Sequence, residues 1–88
     1  MDYSREETFN KLKEIVIAAD ESLSGRESEI TESSRILQDL GFSSVELLYM
    51  AVIIEETFKI AMDDVNVWEL STVGDAVDMI MNEMKKLH

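Results

Sequence analysis

A chain of 88 residues, 45% of them hydrophobic, can bury one small core, so a single domain over residues 1–88 is expected. It has no cysteine and its one histidine is the last residue, His88, which excludes disulfides, thiolate chemistry, cysteine metal sites and most catalytic constellations. The net charge of -11, from 19 acids against 8 bases, argues against nucleic acid, because phosphate contacts need clustered Lys and Arg.

Read from the start, "MDYSREETF" is polar and acidic, without the basic start and apolar run of a secretory leader. Ser4 followed by Glu7 forms a capping-box pattern, and Phe9, Leu12, Val16 and Ala19 follow at helical spacing, with Ile15 widening the stripe. This predicts an amphipathic helix over about residues 4–20. The next stretch, "ESLSGRESEITESSRILQDLG", has no sustained period and reads as a long loop. Its scattered apolar residues, Leu23, Ile30, Ile36, Leu37 and Leu40, predict an ordered loop pinned to the core.

A second helix is expected from Ser44 to Phe58. Leu47, Met50, Ala51, Ile54 and Phe58 make its core stripe, and Val45, Leu48, Val52 and Ile53 are apolar as well. The longest apolar run, "LLYMAVII", is far short of the roughly 20 residues that span a membrane. A soluble, cytoplasmic protein is therefore expected. A short third helix is expected within Asp63 to Trp68, although Val65 and Val67 alternate as a strand would. Ser71 or Thr72 then caps a final helix carrying Val73, Ala76, Val77, Ile80 and Met84, with Lys85 and Lys86 opposing the negative end of its dipole. The fold class is all-α: a small four-helix bundle with a long loop between helices 1 and 2.

The serine pair in "QDLGFSSVELLYM" is the one place where chemistry and helix capping compete. Ser43 and Glu46 stand three apart just before the apolar run, so Ser43 fits the N-cap of a second capping box. Ser44 then takes the first helical position, beside unpaired backbone N–H groups and the positive end of the dipole, a setting that suits a covalently held phosphate. Local spacing alone favours the simpler reading, in which both serines only start the helix.

From Ile30 onward the order "ILQDLGFSS", "VELLYMAVIIEETFKI", "LSTVGDAVDMI" resembles the acyl carrier proteins without a gap, and the resemblance covers almost the whole chain. In that family "LGxDSL" opens the second helix and its serine carries a 4'-phosphopantetheine arm. The resemblance implies that Ser44 is the attachment residue, with Ser43 in place of the usual aspartate and Val45 in place of the usual leucine. It implies a carrier of acyl thioesters for fatty-acid, polyketide or related biosynthesis rather than an enzyme, with no catalytic and no metal-binding residues. The alternatives are a carrier of an aminoacyl or other specialised group, and a helical interaction module that is not modified.

By the same resemblance the partners are a phosphopantetheinyl transferase and acyl-processing enzymes with basic docking patches, and the chain is a monomer. They would read Val45, Glu46, Leu48, Val52, Glu55 and Glu56 on the second helix, together with Tyr49, which stands where many carriers have glutamate. From Gly41 to Met84 Lys59 is the only base, so this half should carry a strong negative field. The six methionines are given no specific role, since Met is a common gap-filler in cores. Asp63 and Asp64 lack the spaced oxygen ligands of a dedicated calcium loop. Trp68 is expected to be a partly buried packing residue whose indole finds a hydrogen-bond partner, with contact to a partner or acyl chain as the alternative.

Overall fold

The computed structural model describes residues 3–62 and 66–86. Among them are three α-helices, α1 (Arg5–Ala19), α2 (Ser44–Phe58) and α3 (Val73–Lys86), with 3-10 turns at Glu21–Leu23, Glu27–Glu29 and Val67–Glu69. The all-α class holds. The expected short helix at 63–68 is met, among the described residues, by the single turn Val67–Glu69, where Asn66 caps by accepting from the Trp68 N–H at 3.1 Å. Asp63, Asp64 and Val65 lie outside the described residues. Among the described residues three α-helices are therefore seen where four helices, one of them short, were expected, because a three-residue turn closes no i→i−4 hydrogen bond.

Each α-helix starts at a reciprocal cap, and for α1 and α2 the spacing alone showed it. In α1 the Glu7 N–H donates to Ser4 Oγ at 3.1 Å and the Ser4 N–H to Glu7 Oε1 at 2.8 Å. The Ser4 N–H first, and then the Ser4 hydroxyl, hold the Glu7 carboxyl below its ordinary value. In α3 the cap is Thr72 rather than Ser71: Asp75 N–H donates to Thr72 Oγ1 at 3.1 Å, and Asp75 Oδ2 accepts from the Thr72 N–H at 3.1 Å.

Helix α1 lies against both α2 and α3, which touch each other less. Facing two neighbours shifts its buried surface: Thr8, Leu12, Ile15 and Val16 are buried, while Phe9 and Ala19, expected in the stripe, are only half-buried. Phe9 instead sits under the Lys13 ammonium, 4.9 Å from the ring centroid. Burying Thr8 leaves its Oγ1 without a hydrogen-bond partner. Thr8→Val removes that group at nearly constant shape, and should raise stability by about 1–2 kcal/mol, read as a higher denaturation midpoint. A lower midpoint would show that the hydroxyl is satisfied in solution.

The long loop is ordered, as expected, but only part of its apolar set does the pinning. Leu23, Ile30 and Ile36 are buried, Leu40 is half-buried, and Leu37 is 50% exposed. Backbone bonds fasten residues 32–36 to the start of α3: Ile36 N–H to Ser71 O at 2.9 Å, Val73 N–H to Ser34 O at 2.9 Å, and Gly74 N–H to Glu32 O at 2.8 Å. Gly74 permits this approach, since a Cβ there would stand 3.0 Å from the Glu32 carbonyl oxygen. Arg5 clamps the same junction, pairing with Glu32 and with Asp78 at 2.6 Å. These bonds, to Glu32 first, raise its already high pKa.

Candidate functional site

The approach to the serine pair is built by the loop. Gly41 takes a left-handed φ of 71°, which turns the chain at no Cβ cost, and the Phe42 N–H closes back on Ile36 O at 3.2 Å. Phe42 and Leu47 then occupy the flanking positions of a hydrophobic staple, and both are buried. Between them Ser43 is the N-cap, with extended backbone: the Glu46 N–H donates to Ser43 Oγ at 3.2 Å and the Ser43 N–H to Glu46 Oε1 at 2.8 Å.

Ser43 is thus committed to the cap, and Ser44 is the first residue of α2, its side chain exposed. The backbone N–H groups of Ser44 and Val45 have no acceptor within the helix, as at every helix start. An exposed hydroxyl, first-turn N–H donors and the positive dipole end suit an oxygen-linked phosphate. Ser43→Ala should cost about 1 kcal/mol, because the Glu46 N–H loses its acceptor. An unchanged unfolding midpoint would show that Ser43 does not hold the helix start.

The negative surroundings begin at once. Asp20, at the end of α1, has its carboxyl held below the ordinary value, chiefly by the Ser22 hydroxyl at 2.7 Å, with burial opposing and the Glu46 carboxyl contributing least.

The outer face of α2 carries Val45, Leu48, Tyr49 and Val52 at helical spacing; they are 75%, 48%, 53% and 48% exposed. The opposite face, Leu47, Met50, Ala51, Ile54 and Phe58, is buried as the stripe predicted. Of the three glutamates expected to face partners, only Glu56 is fully on the surface. Glu46 is half-buried and spent on the cap, and Glu55 is half-buried with Oε2 accepting from the Met62 N–H at 2.9 Å. Lys59 follows in the left-handed region at φ 57°, ending the helix.

Trp68 was expected to be partly buried and is 55% exposed. It and Leu37 are the exposed apolar residues that the sequence did not mark as surface. Among the described residues no cluster of acidic side chains or histidine is arranged to hold a metal. No helix in the described residues is long and apolar enough to cross a membrane.

Residues 11–80 match the family described as phosphopantetheine attachment site. The acyl carrier protein of Thermotoga maritima is 37% identical over 81 residues, 92% of this chain and 96% of that protein. That of Clostridium perfringens is 35% identical over 78 residues, 89% of this chain and 99% of its own. Among solved structures, the apo doublet acyl carrier protein from prodigiosin biosynthesis superposes with a TM-score of 0.61 at 30% identity, covering 86% of this chain and 37% of that one. The chain belongs to the acyl carrier protein family, whose cofactor is 4'-phosphopantetheine.

Proposed function

We propose that the chain is a single-domain, monomeric, cytoplasmic acyl carrier, and that Ser44 is where its 4'-phosphopantetheine arm is attached. The observation that carries this reading is the division of labour at the start of α2: Ser43 is consumed by the cap while Ser44 stands exposed at the first helical position. Ser43 replaces the family's aspartate without loss of the cap, since Ser and Asp serve similarly as N-caps. When attached, the arm supplies a thiol that holds an acyl group as a thioester, and tethering raises the effective concentration of that group at each enzyme. The protein's own part is to present the hydroxyl, keep it fixed on a rigid helix and offer a surface to partners. Fatty-acid, polyketide or related biosynthesis are the pathways this reading allows.

Co-expression with a phosphopantetheinyl transferase, followed by intact-mass measurement and peptide mapping, tests the reading. One added phosphopantetheinyl group on the Ser44 peptide is expected. An unmodified chain, or a group on Ser43, Ser33 or Ser34, would overturn it.

In this reading the transferase and the acyl-processing enzymes meet α2 through Val45, Leu48, Tyr49 and Val52, with Glu46, Glu55 and Glu56 supplying negative potential. Glu56 gives the clean test, because its side chain makes none of the fold's hydrogen bonds described above. Glu56→Lys should slow modification by roughly tenfold at low ionic strength. The difference should fade as salt shortens the Debye length to about 8 Å. Equal rates at low salt would remove Glu56 from recognition.

A further inference from the structure

Arg5 stands at the first position of α1, where a cation is opposed by the positive end of the helix dipole. Glu6 and Glu7 in the same turn follow the local preference and Arg5 breaks it, so nothing within α1 explains its place. Its partners lie elsewhere: Nε and Nη2 both donate to the Glu32 carboxylate, and Nη1 donates to Asp78 Oδ1 at 2.6 Å. One guanidinium thus joins α1, the loop and α3, across 27 and 73 residues of chain. The pairs Arg26–Glu29, Arg35–Asp39 and Lys86–Glu83 join groups only three or four residues apart.

Glu32 is held twice. Its carboxylate meets Arg5 and its carbonyl accepts from the Gly74 N–H, while the Ser34 carbonyl accepts from the Val73 N–H. Val73 and Gly74 open α3, so the loop supplies acceptors to two N–H groups that the helix itself leaves unpaired. When the loop leaves, those groups bond to water instead, and the net loss per bond is small. Burial of Ile36 and the ion cluster supply the rest of the grip. Of these only the cluster depends strongly on ionic strength, because its side chains are 45%, 38% and 60% exposed.

From one cation set between two carboxylates on separate segments, we propose that Arg5 is an ionic latch on the loop. With it, residues 32–36 stay fastened to α3. Without it, Glu32 and Asp78 are left near each other as like charges in a chain of net charge -11, and the segment 32–42 opens while the three helices stay packed. The Phe42 N–H bond to Ile36 O carries the opening to the residue before Ser43, the cap of α2.

Salt distinguishes a latch from a general support of the fold. In the parent chain it screens the attraction of Arg5 for two carboxylates; in Arg5→Gln it screens the repulsion between them. The response of the loop to salt should therefore change sign.

Amide hydrogen exchange by NMR tests this on the full chain carrying Ser44→Ala, so that the result is independent of whether Ser44 is modified. At low salt Arg5→Gln should lower the protection of Ile36, Phe42, Val73 and Gly74 by about tenfold and leave Ile54, in the core of α2, unchanged. Measured against Ile54, about 1 M potassium chloride, where the Debye length is about 3 Å, should lower protection at those four amides in the parent and raise it in Arg5→Gln. Adding Glu32→Gln to Arg5→Gln removes the repulsion, and should restore most of the protection and abolish the salt response.

Equal protection in the parent and Arg5→Gln would overturn the latch. An equal loss at Ile54 would do so too, by making Arg5 a support of the whole fold. A loss confined to Val73 and Gly74, or a salt response of the same sign in both chains, would likewise overturn it.

Discussion

Ser44→Ala is expected to abolish attachment of the phosphopantetheinyl group while leaving the helix content and unfolding midpoint close to those of the wild type. The side chain is exposed at the first position of α2 and takes no part in the cap, which Ser43 and Glu46 complete between themselves. Alanine is the best helix former, so nothing in the helix opposes the change. The loss should be complete rather than partial, because an oxygen-linked group needs the hydroxyl and Ser43 Oγ is engaged with the Glu46 N–H. Intact mass after exposure to the transferase reads the first half of the expectation, and circular dichroism with a thermal melt reads the second. Modification that survives the substitution would move the site elsewhere; a collapsed fold would show that Ser44 has a structural role.

The largest stability effect should come from the other face of the same helix. Ile54 is fully buried within the cluster that α1, α2 and α3 share. Ile54→Ala should cost about 2–5 kcal/mol, the lost transfer free energy plus the cavity left behind. Domains of this size have a total of only about 5–10 kcal/mol, so the variant keeps a modest part of its stability. With each kcal/mol worth about 4–8 °C in a small domain, the midpoint should fall by about 8–40 °C. A denaturant titration compared with Val52→Ala, on the exposed face, separates burial from helix propensity. Equal losses at both positions would mean that α2 is not oriented as described.

What the two substitutions share is the orientation of α2, and that orientation was legible without coordinates. Leu47, Met50, Ala51, Ile54 and Phe58 recur at three and four residues, and all five are buried. Phe9 on α1 shows where the same reasoning slips. It satisfies the spacing of a core stripe, yet Thr8 is buried in preference, because α1 packs against two helices and its buried face is set by both. A count of apolar spacing treats a helix as having one neighbour.

The helix starts were determined by the sequence itself, because caps join residues three apart and the backbone between them is short. Ser4 with Glu7 and Ser43 with Glu46 form the boxes that their spacing implied, while Thr72 with Asp75 settles a choice that spacing left open. Only the tertiary structure decided what the remaining acids and apolar residues do. Glu55 is drawn to the Met62 N–H and Arg5 to Glu32 and Asp78, and the fastening of the loop to α3 leaves Leu37 and Trp68 beside one another at the surface. All but the Glu55 bond depend on segments distant in the chain arriving at the same place. Hydrogen bonds and burial act over a few ångströms in space, so spacing along the chain encodes them only where neighbours in space are also neighbours in sequence.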